Sequence, residues 1–421
     1  MQKIALGLTV LVALCIGGIG GVWADDIALP EDIHMVPPTP EIAPPAAAFA
    51  GVWMGDAWDG ILPHVLLVEH IASDGTATVV YAYGDAPGWH ITRGWTRTTG
   101  TIAHGQLHVA LRDGKAHVRY LPESASTLLG FYDTERTSAF IRLTKTEATT
   151  PPDLQHVLHA LQTPIEAELL AIPITTRDAL GVPKALTLAA LLYRPSRSGR
   201  FPVVIFNHGS TGRGMSSPAL TLRAEAQAHY FLHRGYAVIV PMRKGRGGSE
   251  GLYSEPEQCE ASAVAAGLAS ALEDVDGVIA FAAAQPYIQA DQMVLAGVSR
   301  GGYLSVLYAG KGTHRDRIKG VINFSGGWVG EGCRTDFNAA GYAAAAPHIS
   351  FPTLWLYAVG DRLYAPPAIQ GYVRAFTEAG GRATFHLYDP LPGDGHRLAQ
   401  FVSTWKPAVD AYLEALGFPR Q

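Results

Sequence analysis

Net charge is what this sequence has least of: 32 Lys and Arg stand against 37 Asp and Glu, a balance of −5 over 421 residues. A bias that small gives no electrostatic footing for a nucleic-acid surface or an anionic membrane, and no charged macromolecular partner is expected. Charge of either sign is sparse, 16% of residues against 48% apolar, so the chain can bury a large core. Its 46 Gly and 28 Pro follow no fixed period, the composition of a loop-rich globular protein. Cysteine is scarce too, at three: Cys15, Cys259 and Cys333. The length admits two or three domains.

Lys3 precedes an apolar run from Ile4 to Val22, and Val22-Trp23-Ala24 stands ahead of Asp25-Asp26. A cationic head, an apolar middle and small residues at −3 and −1 describe a signal peptide over residues 1–24, cut after Ala24. The run approaches membrane-spanning length, so an uncleaved anchor is the other reading. A lipoprotein signal at Cys15 is disfavoured, because Leu14 stands where such signals carry Gly, Ala or Ser. Cleavage predicts export to the periplasm or the extracellular space, with no membrane attachment afterwards. In that oxidising setting Cys259 and Cys333 are expected to pair. Two buried free thiols are the alternative, since sequence does not bring the Cα atoms within the roughly 7 Å that a bridge needs.

Residues 25–48 are rich in Pro and poor in patterned apolar positions, the mark of an extended linker. From 49 to 148 short apolar runs such as Val65–His70, Ala77–Tyr83, Leu107–Leu111 and Ala116–Tyr120 recur between Ser73-Asp74-Gly75, Ala103-His104-Gly105 and Arg112-Asp113-Gly114. That spacing predicts hairpins and a small all-β domain, barrel or sandwich. Trp53, Trp58, Trp89 and Trp95 are read as filling its core, a ligand cavity being the other use of such residues. From 149 to 421, after a short helical patch, strand-length apolar runs alternate with helix-length segments. Strands fall near 186–193, 203–207, 237–241, 293–297, 320–324, 353–358 and 384–388. Helices fall near 220–234, 261–284, 301–309 and 369–379, with a last one ending at Leu416. Such alternation predicts a mainly parallel sheet covered on both faces, with its chemistry at the carboxyl ends of the strands.

Gly297-Val298-Ser299-Arg300-Gly301 and Gly247-Gly248-Ser249-Glu250-Gly251 both fit G-x-S-x-G. Only the first has a strand directly before it, Met293–Ala296, and a helix directly after it, which is the context a nucleophile elbow requires. Ser299 is therefore the candidate nucleophile. A serine hydroxyl needs a base, and His396, in a Pro/Gly loop after the strand ending at Tyr388, is placed to act as one. Asp361, at the end of the strand that starts at Thr353, is the candidate to orient it, with Asp336 and Glu331 in reserve. The order Ser, Asp, His is the one this strand–helix arrangement expects. The oxyanion of acyl transfer needs two donors, assigned to the main-chain N–H groups of Arg300 and Ser210. The loop 326–348 is expected to shape the pocket, with Trp328 lining it.

Asn207-His208-Gly209-Ser210, Arg243-Lys244-Gly245-Arg246-Gly247-Gly248-Ser249-Glu250-Gly251, Gly297–Gly302, Gly360-Asp361 and Asp394-Gly395-His396 resemble the dienelactone hydrolase-like branch of the α/β-hydrolases and the catalytic domain of prolyl oligopeptidase-type peptidases. The resemblance runs from about Leu186 to Leu416. It implies an eight-stranded sheet with helices on both faces, no cofactor, and Ser299, Asp361 and His396 in the triad positions; no metal site is expected. A Ser nucleophile departs from the Cys of true dienelactone hydrolases. The 49–148 segment is far too short for the β-propeller that the peptidases carry. Cleavage of a small carboxylic ester through an acyl-serine is the expected activity. The alternatives are a peptidase or amidase, and a binding protein on an inactive hydrolase scaffold.

Overall fold

The computed structural model describes residues 27–58, 62–85, 91–135, 138–146, 167–177, 182–195, 197–210, 224–255, 259–333, 336–391 and 394–418. The expected leader, Trp89, the helical patch after Pro152 and the start of the helix expected from Leu220 lie outside these residues.

Eight strands close into a barrel: β1 Gly51–Trp58, β2 Leu62–Ile71, β3 Thr76–Tyr83, β4 Gly94–Ala103, β5 Gln106–Leu111, β6 Ala116–Ser124, β7 Thr127–Thr134 and β8 Ser138–Thr146. Each pairs antiparallel with the next, and β8 returns to β1 with Val52 opposite Thr146. The turns form where left-handed backbone is tolerated, at His104-Gly105 (φ 51° and 74°) and at Arg112-Asp113-Gly114 (φ 53°, 53° and 81°). Inward positions alternate with outward ones, as a pleated strand demands. Trp53, Leu66, Val79, Tyr81 and Val118 point inside, while Val52, Val65, Leu67 and Val80 form an apolar patch outside.

That patch corrects one expectation. The segment expected as a linker is a strap on the barrel, because Ile27, Leu29, Ile33 and Met35 cover the outer face of β1–β3. Val36 donates its N–H to the Glu69 carbonyl at 2.7 Å, and Arg97 ties Asp32 to Glu69. Isolated apolar residues in a Pro-rich stretch carry no period, so this docking has no sequence signature. Trp95 is a second correction. On the outward side of β4 it is 42% exposed and fills no core.

The second sheet contains β9 Ala167–Arg177, β10 Pro183–Tyr193, β11 Phe201–Asn207, β12 Ala237–Pro241, β13 Ile288–Val298, β14 Ile318–Phe324, β15 Thr353–Ala358 and β16 Ala383–Tyr388. Their order is β16-β15-β14-β13-β11-β12-β10-β9. Every pair from β12 to β16 is parallel, and β10 joins both β12 and β9 antiparallel. Strand β9, which carries Pro173, was not expected; a Pro cannot donate to a ladder and is confined to an edge, where β9 lies. On β13, Met293 and Leu295 point into one core, Val294 and Ala296 into the other. The first core is covered by helices α2 Ala261–Ala283, α3 Arg300–Lys311, α4 Phe337–Ala345 and α5 Pro366–Glu378. The second is covered by α1 Glu225–His233 and α6 Val402–Ala415.

The barrel meets this layered domain on the second face. The Phe140 ring of β8 lies 6.2 Å from that of Phe401, and Arg142 donates to the Thr404 hydroxyl at 2.5 Å. No helix among the described residues is long and apolar enough to cross a membrane.

Candidate active site

Strand β13 ends at Val298 and helix α3 begins at Arg300, so one residue must make the whole turn. Ser299 does so with φ 56° and ψ −124°, a left-handed conformation that costs a non-Gly residue about 1–3 kcal/mol. Its neighbours leave no alternative. A Cβ on Gly297 would stand 2.5 Å from the Gly301 carbonyl, and one on Gly301 would stand 2.0 Å from the Asn207 oxygen. The bend is held by Ser299 N–H to the Phe324 carbonyl at 2.9 Å and by Tyr303 N–H to the Ser299 carbonyl at 3.0 Å. The α3 amino terminus, with its positive dipole end, begins directly behind the hydroxyl.

Strand β15 lies one strand away from β13, and Gly360 (φ 82°) turns the chain after it. Asp361 follows with its side chain fully buried. Its Oδ1 accepts the N–H groups of Leu363 and Tyr364 at 2.8 and 3.1 Å, and its Oδ2 accepts Nδ1–H of His396 at 2.8 Å. With Nδ1 donating, Nε2 carries the lone pair, which is the tautomer a general base needs. The His396 loop is clamped in turn: Asp394 accepts the N–H groups of Arg362 and His396, and a Cβ on Gly395 would meet Asp361 N at 2.7 Å. Of the reserve acids, Glu331 accepts the N–H of Ala365, and Asp336 is exposed at the start of α4, where its side chain makes no cap hydrogen bond.

Gly327 connects the two halves. Its N–H donates to the Ser299 carbonyl at 3.2 Å, and a Cβ there would press on the Tyr364 ring, which lies 5.6 Å from the His396 ring. Among the described residues no hydrogen bond joins the Ser299 hydroxyl to His396. Such bonds are commonly long before a substrate closes the site.

The loop after β11 passes over Ser299, since a Cβ on Gly209 would stand 3.2 Å from the Ser299 Cβ. Ser210 ends this described segment; residues 211–223 lie outside it. His208 is buried, and burial first, then the Arg243 charge, pushes its pKa down to about 3. It is therefore neutral, donating from Nδ1 to the Gly209 carbonyl and accepting the Arg243 N–H at Nε2. The Arg243 guanidinium donates to the carbonyls of His208 and Gly209 and to Glu255. Glu255 also meets Arg300 at 3.4 Å. Burial alone would raise the Glu255 carboxyl, but the charge and hydrogen bond of Arg243 hold it below its ordinary value. One buried carboxylate thus braces both segments assigned to oxyanion binding. Nothing in the local pattern around Glu255 announces this, because the partners are 12 and 45 residues away.

Two further residues are placed differently from the chemistry. Trp328 is 1% exposed and belongs to the core; its carbonyl accepts Arg300 Nε, and the guanidinium lies 5.3 Å from its ring. It supports Arg300 from below and presents no open face to a substrate, which corrects the pocket-lining expectation. The hydroxyl of Ser249, in the second G-x-S-x-G, donates to the Met242 carbonyl and accepts the Ala189 N–H, fastening its loop to β10. Cys259 and Cys333 are bonded, with Cα atoms 5.2 Å apart, and join the loop beyond Glu255 to the loop beyond Trp328. Among the described residues no group of three or more His, Cys, Asp or Glu is arranged to hold a metal ion.

Residues 184–329 match the family model of the X-Pro dipeptidyl-peptidases (S15 family). That stretch contains the Ser299 turn and the loop after β11. The family match and the β9–β16 sheet make this an α/β-hydrolase of the serine-hydrolase class. Among solved structures, this α/β-hydrolase is similar to Thermogutta terrifontis esterase 2 (18% identity, TM-score 0.42, 61% of this chain and 96% of that one). It is similar also to a putative dienelactone hydrolase from Klebsiella pneumoniae (16%, 0.39, 59% and 99%) and to an esterase from Pyrococcus furiosus (13%, 0.42, 60% and 90%). No curated protein matches it.

Proposed function

We propose that this α/β-hydrolase cleaves carboxylic esters through an acyl-serine. The observation that carries the reading is the pairing of a left-handed Ser299 at a strand–helix turn with an imidazole whose Nδ1–H is held by Asp361 at 2.8 Å. Ser299 Oγ attacks the ester carbonyl while His396 Nε2 takes its proton. The N–H groups of Arg300 and Ser210 receive the oxyanion. Collapse breaks the C–O bond to the alcohol, which leaves with the proton from His396. Water, deprotonated by the same imidazole, then releases the acid and restores Ser299.

The match to the X-Pro dipeptidyl-peptidase family supports a second reading, in which the scissile bond is a peptide bond after proline. The two separate on assay. Turnover of 4-nitrophenyl acetate or butyrate with none of Gly-Pro-4-nitroanilide supports the esterase, and the reverse supports the peptidase. Fluorophosphonate labelling followed by peptide mapping tests the shared mechanism, with modification of Ser299 expected and its loss in Ser299→Ala. Labelling of any other serine would overturn the assignment. The same reading includes export, with cleavage after Ala24, which the leader pattern and the Cys259–Cys333 bond support. An amino terminus at Asp25 on the mature protein is the expected result.

A further inference from the structure

The barrel is not filled. An eight-stranded barrel has an interior just wide enough for side chains to close or for one small ligand to occupy, and here a cavity of about 590 Å³ opens among side chains of β1 to β5, β7 and β8. That volume falls in the range of small-molecule sites, roughly 300–1,000 Å³.

The chemistry of its wall is specific. Trp58, Tyr81, Tyr83 and Tyr132 line it together with aliphatic side chains, so the body of an occupant would lie against aromatic faces. Arg112 is the one charged residue among the described lining residues. It is exposed at the β5–β6 turn, and among the described residues no carboxylate pairs with it. Deeper in the barrel the polar groups are settled without charge. His64 donates from Nδ1 to the Ala82 carbonyl at 2.7 Å, and its Nε2 meets the Tyr120 hydroxyl at 2.8 Å. Trp58 is different: it is 1% exposed, and its Nε1 has no acceptor among the described residues. The Tyr81 hydroxyl lies beside it without meeting hydrogen-bond geometry. A buried unsatisfied donor destabilises the empty barrel, and an acceptor atom on a ligand would relieve it.

We propose that the barrel is a binding site, separate from Ser299, for a small carboxylate with an aromatic ring body, its rings against Trp58 and the tyrosines and its anion at Arg112.

The test uses the full chain and two probes of equal ring size, 2-naphthoate and the uncharged 2-naphthalenemethanol, titrated by calorimetry. Saturable binding of 2-naphthoate is expected, weakened about tenfold or more in Arg112→Gln, with 2-naphthalenemethanol changed less than twofold by that substitution. Ala139→Trp fills the cavity from β8 and should abolish both; Thr96→Trp blocks it from β4 and does the same if the first variant fails to fold. Absence of saturable binding at millimolar probe overturns the proposal. So does binding that survives Thr96→Trp in a folded chain, which would place the probe elsewhere, and so does an equal loss of both probes in Arg112→Gln.

Discussion

Glu255 and Arg243 form an ion pair in which each side chain is 3% exposed, and the same carboxylate reaches Arg300 on the nucleophile turn. Removing one partner of such a buried pair leaves an uncompensated charge and costs about 3–5 kcal/mol. Glu255→Gln keeps the shape and removes the charge. Chemical denaturation should show a loss of that order. Because Arg243 also holds the His208 and Gly209 carbonyls, kcat should fall about tenfold or more while KM moves little, the pattern of a lost transition-state contact. A variant with lowered stability and unchanged kcat would make Glu255 a structural residue only.

The turn at Ser299 yields a sharper contrast. With the Asn207 oxygen 2.0 Å from its Cβ position, Gly301→Ala forces the loop after β11 and the Ser299 turn apart. Overpacking of this kind costs typically 1–3 kcal/mol, and here the obstacle is backbone, so the upper end or beyond is expected. Gly332 has no atom within 4 Å of its Cβ position, and Gly332→Ala should leave the melting temperature within a degree or two. Equal effects of the two substitutions would refute the steric account.

The layered domain was legible because its strands are buried on both faces and read as short apolar runs; β12 and β15 fall on the expected residues. The places of Ser299, Asp361 and His396 beyond strand ends were legible because each closes or follows such a run. The barrel was legible only in part. Strand β4, Gly-Trp-Thr-Arg-Thr-Thr-Gly-Thr-Ile-Ala, buries little but Gly100 and gives no alternating signal, although it completes the closure. The strap over β1–β3 and the Glu255 brace were not legible, because both depend on partners distant in sequence that no local pattern encodes.

Acid should destabilise the protein through groups on both domains. Burial, the largest cause at each site, pushes His64 and His208 down to about 3, well below the ordinary histidine value near 6.5. The unfolded chain therefore binds protons that the folded chain refuses. Stability is full above about pH 6.5 and falls as pH drops toward 3, each histidine costing about 2 kcal/mol by pH 5. His229, lowered to about 4, acts in the same direction. Urea midpoints at pH 7.5 and 5.0 measure the loss. In His64→Gln the midpoint at pH 7.5 should drop, since the Tyr120 and Ala82 contacts are disturbed, but the further drop at pH 5.0 should shrink. An undiminished drop would show that His64 titrates normally in the folded state.

The Cys259–Cys333 bond closes a loop whose ends are 74 positions apart in sequence, and chain entropy alone puts its contribution at about 4 kcal/mol. Its position says more than its loop length. Cys259 follows the loop of Glu255, and Cys333 follows Trp328, whose carbonyl holds Arg300. Cys259→Ser/Cys333→Ser should therefore lower the melting temperature and also loosen the brace on the oxyanion segments, so that kcat falls at a temperature where circular dichroism still reports a folded chain. Adding Glu255→Gln to that variant should cost less in kcat than it does in the parent, because the two substitutions act on one assembly. Strict additivity of the two losses would mean that the bond stabilises the fold without positioning the site.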